Sequence, residues 1–112
     1  MQRRPTRQSP AANAEQRRFL AWVKEQSCAV CSDWPCIAHH CEGATWAHNK
    51  TKCGHWFILP LCQVHDDVVT QGSRRLFRQE FGPQSALWLR LIKKSPIKPP
   101  QEVIDAIEDW GR

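Results

Sequence analysis

The chain has 112 residues, 41% of them apolar, and its net charge is +5; this allows one domain with an adequate but not generous core. No stretch approaches the roughly 20 apolar residues that span a bilayer. Residues 1–18 carry charge without an apolar run, so a secretory signal peptide is not expected and the location expected is cytoplasmic, with reduced thiols.

Charge is unevenly distributed. Residues 1–98 hold 15 Lys/Arg against 7 Asp/Glu, which is +8, whereas residues 100–112 hold Arg112 against four acids, which is −3. A basic body suits a polyanion such as DNA or RNA, although mildly basic soluble proteins are common. Residues 1–13, with Arg3, Arg4, Arg7 and two prolines, read as a disordered basic arm. From 14 to 26 the spacing of Phe19, Trp22, Val23 and Gln26 predicts a helix that packs on the core and delivers the chain into Cys28.

The central stretch, Cys28 to Asp67, contains all six cysteines and all five histidines. Ile37-Ala38-His39-His40 predicts a short strand, and residues 41–54 a polar loop. Trp56-Phe57-Ile58-Leu59 predicts a second strand closed by Pro60. A helix follows from Cys62 to about Gln71, with Leu61, Val64, Val68 and Val69 on its apolar side and Gly72 as its stop. Ser73 is placed to cap a short helix to Phe81, with Leu76, Phe77 and Phe81 apolar and Arg74, Arg75 and Arg78 outward. Gly82 and Pro83 separate it from a helix to about Lys94, whose buried stripe is Leu87, Trp88, Leu91 and Ile92. Residues 95–100 form a Pro-rich linker, and an acidic helix runs to about Trp110 with Val103, Ile104 and Ile107 apolar. The expected divisions are an arm over 1–13, a stapled domain over 14–94, and a linker with its acidic helix over 95–112.

Two half-sites frame the centre. Cys28-x-x-Cys31 brings two thiolates to one ion through a tight turn, and Cys62-x-x-His65 supplies a second pair from the first turn of a helix. A structural zinc held by Cys28, Cys31, Cys62 and His65 is expected, with Cys36, Cys41 and Cys53 as rival ligands. His39-His40 is a different signal: adjacent strand residues point to opposite faces, so one imidazole can hold an ion while the other activates water. A hydrogen-bonded structural pair is the competing reading. Lys50 and Lys52 are candidate phosphate contacts, as are Arg74, Arg75 and Arg78, against the alternative of solvated faces.

The order Cys-x-x-Cys, His39-His40, a loop with Lys50 and Lys52, and His55-Trp-Phe-Ile-Leu-Pro-Leu-Cys-x-x-His resembles the HNH (ββα-metal) endonucleases, in particular small phage members associated with recombination. The likeness covers residues 28–82. It implies an α+β fold: a zinc-stapled ββα-metal core flanked by helices. It further implies His39 as ligand of a catalytic Mg or Mn ion, His40 as general base, and His55, with Asn49 as rival, at the position that orients the base. Where the family commonly has a further histidine this chain has Val69 or Thr70, so Asp66 is the expected second ligand of that ion. The function implied is hydrolysis of phosphodiester bonds in DNA, single-stranded or branched DNA included, with a recombination protein as a possible partner. The other readings are a catalytically inactive zinc protein that binds DNA or RNA, and a zinc-stapled interaction module.

Overall fold

The computed structural model describes residues 12–41, 47–48 and 51–110. Residues 1–11 of the expected basic arm, Asn49 and Lys50 lie outside these residues, whereas Asn13, expected in the arm, caps the first helix.

Helix α1 (Ala14–Lys24) begins with a reciprocal cap. The Asn13 side chain accepts from the Gln16 N–H, and the Gln16 side chain accepts from the Asn13 N–H. Phe19 and Val23, one turn apart, are fully buried and fix the helix to the core. The helix stops two residues short of the expected Gln26. The N–H groups of Glu25 and Gln26 bond three residues back rather than four, which tightens the last turn.

Strand β1 (Ile37–His40) forms as expected and pairs antiparallel with a strand whose bounds differ from expectation, Ile58–Leu61. Trp56 belongs instead to a 3-10 turn over Gly54–Trp56, and Pro60 lies within the strand, opposite Ala38. The reason is the direction in which Pro60 faces. Its carbonyl accepts from the Ala29 N–H at 2.8 Å, so the position that lacks an N–H points away from β1 and no ladder bond is lost. The stretch expected as a loop contains β2 (Ala47–His48) and β3 (Thr51–Lys52), which pair with Ala47 opposite Lys52; the strand Ile58–Leu61 is therefore β4. Two-residue strands are too short for a period-two pattern to reveal.

The expected single helix from Cys62 to Gln71 divides. Helix α2 (Gln63–Asp67) gives way to a π turn over Val68–Gly72, in which the Ser73 N–H reaches the Val68 carbonyl at 3.0 Å. The sequence does not signal this widening, because neither Gly nor Pro interrupts residues 63–71. Val64 also departs from expectation: it is 67% exposed, whereas Val69 is buried. Helix α3 (Arg74–Phe81) is capped by the Ser73 hydroxyl, which accepts from the N–H groups of Arg75 and Leu76. Phe77 is its buried residue; Leu76, expected on the apolar side, is 53% exposed. Gly82 then takes φ 90°, a conformation that side chains with a Cβ rarely adopt.

Helix α4 (Gln84–Ile92) buries Leu87, Trp88, Leu91 and Ile92, as its spacing predicts, and ends two residues before Lys94. Helix α5 (Gln101–Trp110) packs on α4 and on the β2–β3 ladder, with Val103, Ala106 and Ile107 buried and Glu102, Asp105, Glu108 and Asp109 outward. The segment between them is pinned: the Lys98 ammonium donates to the Ile92 carbonyl at the end of α4, and the Ser95 hydroxyl donates to the Ile97 carbonyl at 2.6 Å. The acidic helix thus shares one core with the rest. That core draws on α1, β4, α4 and α5, and its ring contacts include Phe19 on Trp56 and Phe57 edge-on to Trp88, with centroids 5.3 and 5.9 Å apart.

Candidate metal centre and histidine pairs

Residues 28–33 form a compact knuckle. The Cys28 N–H reaches the Asp33 carbonyl, the Ser32 N–H returns to the Cys28 carbonyl, and Ser32 takes φ 68° to close the turn. The Ala29–Pro60 bond attaches this knuckle to the outer edge of β4. Four residues farther along the sequence than the start of β4, Cys62 occupies the N-cap of α2, and His65 lies one turn into that helix. Strand and helix therefore deliver one half-site to the other. The ligand atoms of Cys28, Cys31, Cys62 and His65 all lie within 4.8 Å of one another.

The donor set fits zinc. With Zn–S near 2.3 Å and Zn–N near 2.05 Å, tetrahedral ligands are separated by about 3.8 Å for two sulfurs and about 3.6 Å for sulfur and nitrogen. Cys31 Sγ and Cys62 Sγ are 3.7 Å apart, and His65 Nδ1 is 3.8 Å from Cys28 Sγ and 3.2 Å from Cys62 Sγ. His65 thus presents Nδ1, and its ring is held edge-on by Phe81 at 5.1 Å. These four residues could hold a metal such as zinc.

The surroundings of the thiols favour ionisation of one and oppose ionisation of a second. Burial opposes ionisation of Cys28, but the backbone N–H groups of Cys62, Cys31 and Val30 outweigh it and lower the thiol to about 7. The Asp33 N–H favours a thiolate at Cys31. Desolvation and the neighbouring sulfurs of Cys62 and Cys28 nonetheless push it up to about 12. One thiolate is welcome and a second is repelled, a conflict that a bound cation relieves. The rival ligands lie apart from this cluster among the described residues. Cys36 donates to the Asp33 carbonyl at 3.3 Å, and its thiol is raised to about 11, first by burial. Cys41 and Cys53 are fully buried, and burial pushes Cys53 up to about 12.

Two pairs, each with one histidine of β1, lie beside this centre; their partners are Asp66 of α2 and His55 of the 3-10 turn. His39 Nδ1 is 3.1 Å from Asp66 Oδ1, which ties β1 to α2 at the residue next to His65. His40 Nε2 is 3.3 Å from Nδ1 of His55, the rings meeting edge to face with centroids 5.4 Å apart. One of those two nitrogens carries the proton and the other accepts it. Burial, then the nearby His55 and His39, lower the pKa of His40 below its ordinary 6.5, so its imidazole is neutral at physiological pH. Neither Val69 nor Thr70 adds a donor: Val69 is buried in the core, and the Thr70 hydroxyl donates to the Asp66 carbonyl at 2.8 Å. Of the basic candidates, Arg75 and Arg78 are exposed on α3, while the Lys52 and Arg74 side chains lie outside the description.

Trp88, expected as part of the buried stripe of α4, is also a positioning residue. Its indole N–H donates to the Trp56 carbonyl at 2.7 Å, so α4 anchors the 3-10 turn that carries His55. A buried indole N–H usually finds an acceptor, which is the signal that the sequence offers for such an anchor. Its partner, 32 residues away in sequence, is not readable from spacing.

A small α+β domain with a three-cysteine, one-histidine cluster at the junction of a two-stranded ribbon and a helix is the class that this fold and site define. The chain belongs to the DUF968 family, described as a protein of unknown function, whose model matches residues 2–97. It is similar to the uncharacterized protein YdfU of Escherichia coli (strain K12), with 31% identity over 78 residues, which is 70% of this chain and 22% of that protein. The chain thus spans under a quarter of the length of that relative. No solved structure matches it. Among the described residues no helix is long and apolar enough to cross a membrane.

Proposed function

We propose that the chain is a metal-dependent DNA endonuclease of the HNH type, hydrolysing phosphodiester bonds. The observation that carries this reading is the pairing of His39 with Asp66 at 3.1 Å and of His40 with His55 at 3.3 Å on a strand–strand–helix frame. Adjacent ligands of an octahedral Mg or Mn ion, each near 2.1 Å from it, are about 3.0 Å apart, so Nδ1 of His39 and Oδ1 of Asp66 suit such an ion. Held there, the ion would supply charge stabilisation to the phosphate and leaving oxygens. In the tautomer with the proton on His40 Nε2, His55 Nδ1 accepts that hydrogen bond, and the lone pair at His40 Nδ1 would take a proton from the attacking water. The cysteine cluster has a structural role in this scheme: fixing His65 fixes Asp66 beside it, and with it the distance to His39. Exposed Arg75 and Arg78 on α3 support contacts to the phosphate backbone. The likeness to phage nucleases extends the reading to recombination-linked DNA processing, with single-stranded or branched DNA as substrate and a recombination protein as partner.

A second reading, a catalytically silent zinc protein that binds nucleic acid, is favoured by Val69 and Thr70, which leave the His39–Asp66 pair without a third protein ligand from α2 or its π turn. Plasmid nicking with Mg²⁺ or Mn²⁺ separates the two. The wild type is expected to nick and His40→Ala to lose at least about a hundredfold in rate, the range for a general base. Nicking that survives His40→Ala refutes the mechanism; salt-sensitive binding without nicking favours the second reading.

A further inference from the structure

A cleft of about 210 Å³ lies on the other side of β4 from β1, between the metal knuckle and α4. The Ala29–Pro60 bond sets the knuckle along the β4 edge that faces away from β1, and α4 packs beside the same strand. Arg90 and Lys94 of α4 and its terminal turn line it, together with Ser27, Cys28 and Ser32 from the knuckle side and with Pro60 and Leu87. The two cations are four residues apart, so their side chains rise on the same side of α4 and its terminal turn. Both are exposed. Neither has an ion-pair or hydrogen-bond partner among the described residues, and neither do the hydroxyls of Ser27 and Ser32. No carboxylate lines the cleft. Complementing the carbonyl end of α4 does not require this arrangement, since Lys93 and Lys98 already sit at that end.

We propose that this cleft is a phosphate-binding site, separate from the histidine pairs. Its volume is below the roughly 300 Å³ at which pockets begin to enclose whole drug-sized ligands, so it suits a group rather than a molecule. A guanidinium presents paired N–H donors to two phosphate oxygens, and an ammonium adds a point charge. The hydroxyls of Ser27 and Ser32, which line the same cleft, are donors of the right kind for the remaining oxygens. The phosphate comes either from a nucleic-acid strand or from free phosphate in solution; only the first source rests on the nucleic-acid reading above.

The test uses the full zinc-loaded chain and the double variant Arg90→Gln/Lys94→Gln, whose zinc content and far-UV circular dichroism should match the wild type because both residues are exposed. Inorganic phosphate is titrated into ¹⁵N-labelled protein, with saturable shifts expected at the amides of Ser27, Ser32 and Arg90 and lost in the variant. A labelled DNA duplex is titrated in parallel at several salt concentrations. For a strand phosphate, the variant binds roughly tenfold more weakly, as loss of a charged hydrogen bond implies, and its salt slope is shallower by about one. Loss of the phosphate response with unchanged duplex binding assigns the cleft to free phosphate. If the wild type binds no duplex yet responds to phosphate, the nucleic-acid reading fails and the cleft stands. If neither phosphate nor duplex distinguishes wild type from variant, the proposal is overturned, whatever an Arg75→Gln/Arg78→Gln control does.

Discussion

Replacing Cys62 by serine separates a metal-held fold from a merely compact one, because the two predict opposite signs. Cys62 Sγ lies 3.7 Å from Cys31 Sγ and 3.2 Å from His65 Nδ1, so a bound zinc loses one of four ligands. Serine nearly matches cysteine in volume, and the side chain is already 7% exposed, so no substantial cavity forms. Cys62 is also the N-cap of α2 and makes no capping hydrogen bond, whereas serine is a preferred cap whose bond contributes about 1 kcal/mol. Without a metal, Cys62→Ser should therefore be neutral or slightly stabilising. With one, the balance reverses. Even ligand-orienting groups are worth 10–100-fold in metal affinity, so a ligand itself should be worth at least about a hundredfold. Each tenfold is about 1.4 kcal/mol, and a native-state ligand stabilises by mass action. The loss is then about 2.7 kcal/mol or more, against a gain of about 1 from the cap. At 4–8 °C per kcal/mol for a domain of this size, the melting temperature should fall by roughly 7–14 °C or more. The assay is a thermal melt followed by circular dichroism in zinc-replete buffer, with zinc per chain measured by elemental analysis, and Cys36→Ser as a control outside the cluster. Wild type is expected to hold one zinc and Cys62→Ser to hold less and melt lower. A variant that melts at or above wild type, or a wild type without metal, refutes the reasoning.

Other outcomes follow from the same structure. Because burial and two neighbouring rings depress the pKa of His40, the neutral base persists below pH 6.5, so the acid limb of the nicking rate should lie beneath that value. A limb centred above pH 6.5 would contradict the environment assigned to His40. Stability carries the same sign: the unfolded chain takes up this proton first as pH falls, so His40 costs stability below about pH 6.5, and His40→Gln should flatten that part of the unfolding profile. Trp88→Phe removes the donor to the Trp56 carbonyl and should destabilise by roughly 1–3 kcal/mol in urea titration. It should also shift the His55 ring resonances, because that bond holds the turn under His55; unchanged resonances would show that the turn holds itself.

How much was legible depended on how local the cause was. The capping residue Ser73, the φ 90° glycine at 82 and the fourfold stripe of α4 act within a few residues, and the elements they mark formed near their expected bounds. The meeting of Cys28, Cys31, Cys62 and His65 was also legible, since a Cys-x-x-Cys turn and a Cys-x-x-His helix start each keep two ligand residues close along the chain. The misplaced features had distant causes. Pro60 looked like the end of a strand, because the sequence does not tell that its carbonyl would face Ala29, on the edge away from β1. The π turn at 68–72 and the exposure of Val64 are decided by how α2 meets its neighbours, not by propensity.

The sequence by itself thus determined the chemistry that the chain can offer: three thiols and an imidazole that could hold a metal, paired histidines on a strand, a basic body with an acidic final helix. Tertiary structure decided which of those groups meet. It set Asp66 against His39 across β1 and α2, brought His55 to His40 through a turn anchored by Trp88, and left Arg90 and Lys94 facing the metal knuckle. The physical reason is range. Ligand chemistry and caps are fixed by covalent neighbours, whereas a 3.1 Å contact between residues 27 apart exists only once the core has set the distance between its strands and its helix.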